Sequence, residues 1–248
     1  VGIVAFFTGY IAQEYGVKPY PFYIGIGISI IGLFLSILFV RDTRKFVNKE
    51  QQKDSSESLN NVFLETSFKN KNLSSITQAG MVNNLNDGMI WGLLPILLFS
   101  LDFDTKKIGF IAATYPAVWG IGQLFTGKMS DIYSKKKMLF LGMLLQGVAI
   151  ITITFTSNFN DLVFIAAILG FGTALVYPTF LAAIAETTTP TQRAESIGVF
   201  RLWRDLGYAI GAILSGIIAD IFGIEYAIIT IGIITIFSSL VIKFRMTE

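Results

Sequence analysis

Seven stretches of about 20 mostly apolar residues recur along the chain, at 21–40, 77–100, 108–129, 138–157, 161–185, 196–220 and 224–243. Each is long enough to cross a hydrocarbon core of about 30 Å as an α-helix. Residues 1–12 form about half of one more such span. The pattern predicts an all-α membrane protein with about seven and a half transmembrane helices in this chain. The one long polar segment, residues 44–75, is rich in Asn, Ser, Lys, Gln and Glu and reads as a linker. Within it Leu59, Val62 and Phe63 have helical spacing, so a short surface-lying helix stands as the alternative to a solvated linker.

Composition agrees with the pattern: 53% of residues are hydrophobic, 15% are charged and the mean hydropathy is +0.63. The net charge of +2 says little, because in a membrane protein the placement of Lys and Arg carries the information. Alternate loops hold Arg41, Arg44, Lys45, Lys49, Lys53, Lys69 and Lys71, then Lys128 and Lys135 to Lys137, then Arg193, then Lys243 and Arg245. The opposite loops hold only Lys18, Lys106 and Lys107, so the first set, the linker and the C-terminus are expected in the cytoplasm. The absence of Cys excludes disulfides, thiolate nucleophiles and Cys-bound zinc, and the absence of His excludes an imidazole relay. Any proton coupling then falls to carboxylates, and no metal or other cofactor is expected. The chain opens inside an apolar run at Val1, and so reads as a piece of a longer protein.

Gly127, Asp131, Lys135 and Lys136 lie between two apolar spans, with a carboxylate four residues after a glycine and a basic cluster following. This resembles the loop motif of the major facilitator superfamily, Gly-x-x-x-Asp-x-x-Gly followed by two basic residues. Ser134 stands where the second glycine is usual. The resemblance implies an intact protein of about twelve helices in two six-helix halves. Residues 1–43 would end the N-terminal half, 44–75 would be the cytoplasmic linker and 76–248 would be the complete C-terminal half. It also implies that the motif aspartate, Asp131, caps a helix of the opposite half and holds the cytoplasmic side closed. Lys135 to Lys137 would latch to that half, bind anionic lipid heads or simply set topology. The spacing from Gly122 to Lys128 also satisfies a phosphate-binding loop, but Met129 replaces the magnesium-binding hydroxyl and the setting is a long apolar helix, so ATP binding is rejected.

The spans differ in kind. Those at 21–40, 138–157 and 224–243 contain no charged residue in the apolar core and can face lipid; the resemblance likewise makes the third and sixth helices of each half peripheral. The others carry polar stripes. Asn83, Asn84, Asp87 and Trp91 share one helical face, as do Tyr115, Trp119 and Gln123, and Tyr177 lies on the face of Thr173 and Phe180. In span 196–220, a rise of about 1.5 Å per residue sets Arg201 roughly 6 Å deep and Arg204 with Asp205 roughly 11 to 12 Å deep, with Asp87 at a similar depth. Ionisable groups inside a bilayer usually face a bundle interior or a water-filled cavity. Arg201 reads mainly as a snorkelling side chain, or as the partner of Asp205 on its own helix. For Arg204 with Asp205 or Asp87, a structural ion pair and a transport role both stand. Asp87 has no neutralising neighbour on its own helix and is the first candidate for substrate or proton coupling. Gly207, Gly211 and Ser215 are spaced for close helix packing.

The expected function is secondary active transport of a small solute by alternating access, coupled to protons, in a bacterial or archaeal plasma membrane, with lipids as neighbours and no nucleic-acid partner. The arginines suit an organic anion taken up; the aromatic residues Trp91, Trp119 and Tyr177 suit export of an amphiphile. A membrane sensor or lipid-handling protein on the same fold is the alternative from another class.

Overall fold

The computed structural model describes residues 2–40 and 61–247. Most of the polar segment 44–75, with Leu59 and the basic residues Arg44, Lys45, Lys49 and Lys53, lies outside the described residues, as does Arg41. The long elements are α1 (Gly2–Tyr15), α2 (Tyr20–Phe39), α3 (Lys71–Ser100), α4 (Thr105–Ile132), α5 (Lys135–Ile153), α6 (Phe159–Thr187), α7 (Pro190–Phe222) and α8 (Ile224–Arg245). Among the described residues there is no strand.

Short polar residues set the helix starts by accepting from backbone N–H groups that the first turn leaves free. Asn70 Oδ1 caps α3, Asp104 Oδ1 caps α4 and Asn158 Oδ1 caps α6. Pro190 opens α7, where its missing N–H is no loss. A single residue, Gly223 at φ 103°, turns α7 into α8, a backbone conformation that favours glycine. Ser134 is the N-cap of α5 at φ −55°, its Oγ accepting from Lys137 N. A serine therefore serves the motif's turn here without the left-handed conformation that would demand glycine.

Among the described residues six helices, α2 and α4 to α8, are long and apolar enough to cross a membrane. The expected span at 77–100 is helical too, but with Asn83, Asn84, Asn86 and Asp87 in its middle α3 is not one of the six. It tolerates them because it runs through the middle of the bundle, touching α4, α6, α7 and α8. Its tightest contact is with α7. A Cβ at Gly88 would lie 2.2 Å from Tyr208 O, one at Gly207 2.1 Å from Met81 O and one at Gly211 2.2 Å from Leu85 O, so these backbones approach only because no side chain intervenes. The glycine spacing on this span thus predicts the contact correctly, and Ser215 continues it, fully buried. The rest of the bundle pairs α4 with α6, α5 with α6 and α8, and α1 with α4, while α2 has no buried residue.

One expectation is corrected. The end of the polar segment is not a solvated linker: Val62–Leu64 and a π-helical turn over Glu65–Lys69 dock against the bundle before α3 begins. Trp203 Nε1 donates to Ser67 Oγ at 2.9 Å, Arg245 Nη2 donates to Phe68 O at 2.8 Å, and Thr247 N donates to Asn72 Oδ1 at 2.8 Å. The spans free of charge, α5 and α8, have one side for lipid and one for the bundle. Each buries one side, and Asn86 of α3 bridges them: its Nδ2 donates to Gln146 Oε1 at 3.1 Å, and Thr235 Oγ1 donates to its Oδ1 at 2.6 Å. All three side chains are buried. They form a polar layer between two apolar clusters, one around Met89, Ile150 and Ile231, the other around Leu73, Met143 and Ile242. Leu141, Val148, Ile233 and Phe237 on the opposite sides of α5 and α8 are exposed, in keeping with lipid contact there.

Candidate functional site

The stripes seen in the sequence converge into one row of side chains drawn from α3, α4, α6 and α7. Tyr115, buried on α4, donates its hydroxyl to Asp87 Oδ1 on α3 at 2.5 Å. Trp91, one helical turn beyond Asp87, lies 6.4 Å from the Tyr115 ring. Tyr115 stacks on Trp119 at 6.2 Å between centroids, and Trp119 meets Tyr177 of α6 edge-on at 5.3 Å. Arg204 of α7 then donates from Nη1 to the Tyr177 hydroxyl at 3.2 Å, with its guanidinium 5.9 Å from the ring centroid. The far end is closed by Asp205, whose Oδ1 accepts from Arg204 Nε at 3.0 Å and Nη2 at 2.8 Å. The result is a carboxylate and a guanidinium joined by three successive rings.

Gly207 lies over Met81, Gly211 over Leu85 and Gly88 against Tyr208, so α3 and α7 run parallel. The apolar run does not mark where α3 starts: it begins at Lys71, inside the polar segment. No ion pair joins Arg204 and Asp87 among the described residues.

The other candidates divide. Asn83 is buried, donates weakly to Asn84 Oδ1 at 3.5 Å and leaves its own Oδ1 without a partner. The Trp119 indole N–H is likewise buried without an acceptor. Gln123 is half-buried on α4, one turn past Trp119. Arg201 is exposed and Asp205 pairs with Arg204 instead, so the i, i+4 pair does not form. Among the described residues no group of three or more acidic side chains could hold a metal ion.

The loop motif sits at the lysine-rich end. Gly127 has open space around it and Asp131 is exposed, while Lys135 Nζ pairs with Glu186 Oε1 at 2.6 Å across to α6. Lys136 lines a cavity of about 410 Å³ there, together with Asn72, Ser134, Glu186 and Thr247. This cavity shares no residue with the aromatic row. Gly122 to Lys128 is continuous α-helix, which removes the phosphate-loop resemblance. Sequence reasoning missed three features: the Asn86, Gln146 and Thr235 layer, the docking of Ser67 on Trp203, and an ion pair between Glu14 of α1 and Lys106 of α4. Only the first had a signal, since Asn86 repeats the buried face of Asn83 three residues on.

Residues 76–248 match the family model described as Major Facilitator Superfamily. The chain is 26% identical over 178 residues to an uncharacterized MFS-type transporter of Methanocaldococcus jannaschii, covering 72% of this chain and 46% of that protein. It is 28% identical to the hexuronate transporter of Bacillus subtilis, over 63% of this chain and 37% of the relative. It is 23% identical to the multidrug resistance protein MdtG of Proteus mirabilis, over 87% and 53%. The chain thus spans about half the length, or less, of these curated relatives.

Proposed function

This chain belongs to the major facilitator superfamily, and from that premise we propose that it forms part of a proton-coupled secondary transporter working by alternating access. Residues 76–248 supply one complete six-helix half, and residues 1–43 the end of the other. The lysine-rich end faces the cytoplasm. The observation that carries the reading is the row from Asp87 to Arg204: a carboxylate and a guanidinium within apolar spans, linked through buried and half-buried aromatic rings in a row drawn from four helices. A structural ion pair alone would not require the rings between.

Asp87 takes the coupling role. It is a carboxylate held by a neutral hydroxyl rather than a cation, so gaining a proton does not strand a buried positive partner. The chain has no histidine to take that role instead. Arg204 and the rings take the solute. Relatives named for a hexuronate and for multidrug resistance agree with a small solute and divide between anion and amphiphile. The reading is of a transporter, not an enzyme. Its test uses the full-length protein in vesicles with an imposed pH gradient. Gradient-driven accumulation of a solute that Asp87→Asn abolishes while leaving exchange intact supports it. Loss of solute movement in every screen, with lipid binding retained, would favour the sensor or lipid-handling alternative.

A further inference from the structure

We propose that the solute is a flat aromatic carboxylate, and that Asp205 occupies Arg204 as its placeholder until the solute arrives. The inference rests on the transport reading and adds the substrate class. The anionic and amphiphilic readings converge on one side chain, because Tyr177 carries both Arg204, through its hydroxyl and its ring face, and Trp119, through its ring edge. A ligand whose carboxylate meets the guanidinium has its body against rings already in register. Sugar acids would present hydroxyls to these faces instead and waste them. Cations would meet Arg204 at close range.

The ion pair is built to be exchanged. The Arg204 side chain is 19% exposed and that of Asp205 63%, so the cation is the fixed member and the carboxylate the accessible one. Arg204 is anchored from a second helix by Tyr177, whereas Asp205 makes no other hydrogen bond among the described residues. Nε and Nη2 both converge on Oδ1 alone, leaving the second oxygen idle. Sequence neighbours on a helix project about 100° apart, so Asp205 reaches Arg204 only from the side. A free carboxylate can offer both oxygens to the planar fork, the stronger bidentate geometry. Exchange therefore replaces a half-exposed contact with a better one and returns Asp205 to water.

The test measures equilibrium binding of radiolabelled benzoate to the full-length protein in nanodiscs, with benzyl alcohol, benzylamine and cyclohexanecarboxylate as competitors. Benzoate is expected to bind, cyclohexanecarboxylate to compete weakly, and the alcohol and amine not at all. Asp205→Asn removes the placeholder and should tighten benzoate binding about two- to fivefold, the factor by which an exposed ion pair ordinarily competes. Arg204→Gln should abolish it. A gain of affinity is a result that misfolding cannot imitate. Unchanged or weaker binding by Asp205→Asn, or equal competition by benzylamine, would overturn the proposal, as would absence of benzoate binding. The two readings separate cleanly: accumulation of some solute without benzoate binding defeats only the substrate class, and benzoate binding without gradient-driven movement defeats only transport.

Discussion

The contact between α3 and α7 carries both ends of the proposed site, and Gly211→Ala tests how closely it is fitted. The added Cβ would lie 2.2 Å from Leu85 O, 2.7 Å from Leu85 Cα and 2.8 Å from Leu85 C. These are backbone atoms of a helix, so no side chain can swing away. Reaching ordinary contact requires the helices to part by about 1 Å, and overpacking of this kind costs about 1–3 kcal/mol. The helix propensity of alanine offsets about 0.5–1 kcal/mol of that. Gly216→Ala on the same helix is the control, because its Cβ would meet nothing within 4 Å. Thermal unfolding of the full-length protein in detergent should show a lower midpoint for Gly211→Ala and an equal or slightly higher one for Gly216→Ala. The solute affinity of the Gly211 variant should fall as well, because Arg204 moves relative to the α4 and α6 rings. Equal midpoints for the two variants would refute the close-packed contact.

Asp87→Asn keeps size and the Tyr115 contact but removes the titratable group; accumulation driven by a pH gradient should be lost while counterflow exchange persists, and normal accumulation would remove Asp87 from coupling. Topology can be read in this cysteine-free chain with Lys137→Cys and Ser157→Cys, which should label from the cytoplasmic and the external side respectively; labelling of both from one side would invert or break the span order. Asn86→Leu leaves Gln146 and Thr235 without their shared partner and should cost about 0.6–2 kcal/mol, seen as an earlier unfolding midpoint, whereas an unchanged midpoint would make the polar layer incidental.

The spans were legible because hydrocarbon thickness dictates a run length that composition makes visible; every expected span lies on an observed helix. What hydropathy could not mark is where a helix begins beyond the apolar region. Hence α3 reaches back to Lys71, and the stretch from Val62 to Lys69 docks through single hydrogen bonds that leave no periodic trace. The polar members of the site were visible as stripes on separate spans, since a polar residue in an apolar run is conspicuous. Their order from Asp87 through Tyr115, Trp119 and Tyr177 to Arg204 was not, because it depends on how four helices rotate and slide against one another. Gln146 and Thr235 were passed over for the opposite reason. One uncharged polar residue in a span reads as noise until a partner on another helix gives it a direction.

The Asn86, Gln146 and Thr235 layer also bears on movement. Two apolar helices in lipid resemble greased rods, since turning or sliding one exchanges hydrocarbon for hydrocarbon. Only directional bonds supply a detent. Here one amide grips α5 with its nitrogen and α8 with its oxygen, so neither outer helix can shift by a turn without leaving a polar atom stranded in oil. Any rocking of this half would then carry α3, α5 and α8 as one stiff plate. With α7 held backbone to backbone against α3, flexing is left to α4 and α6, whose rings meet Arg204.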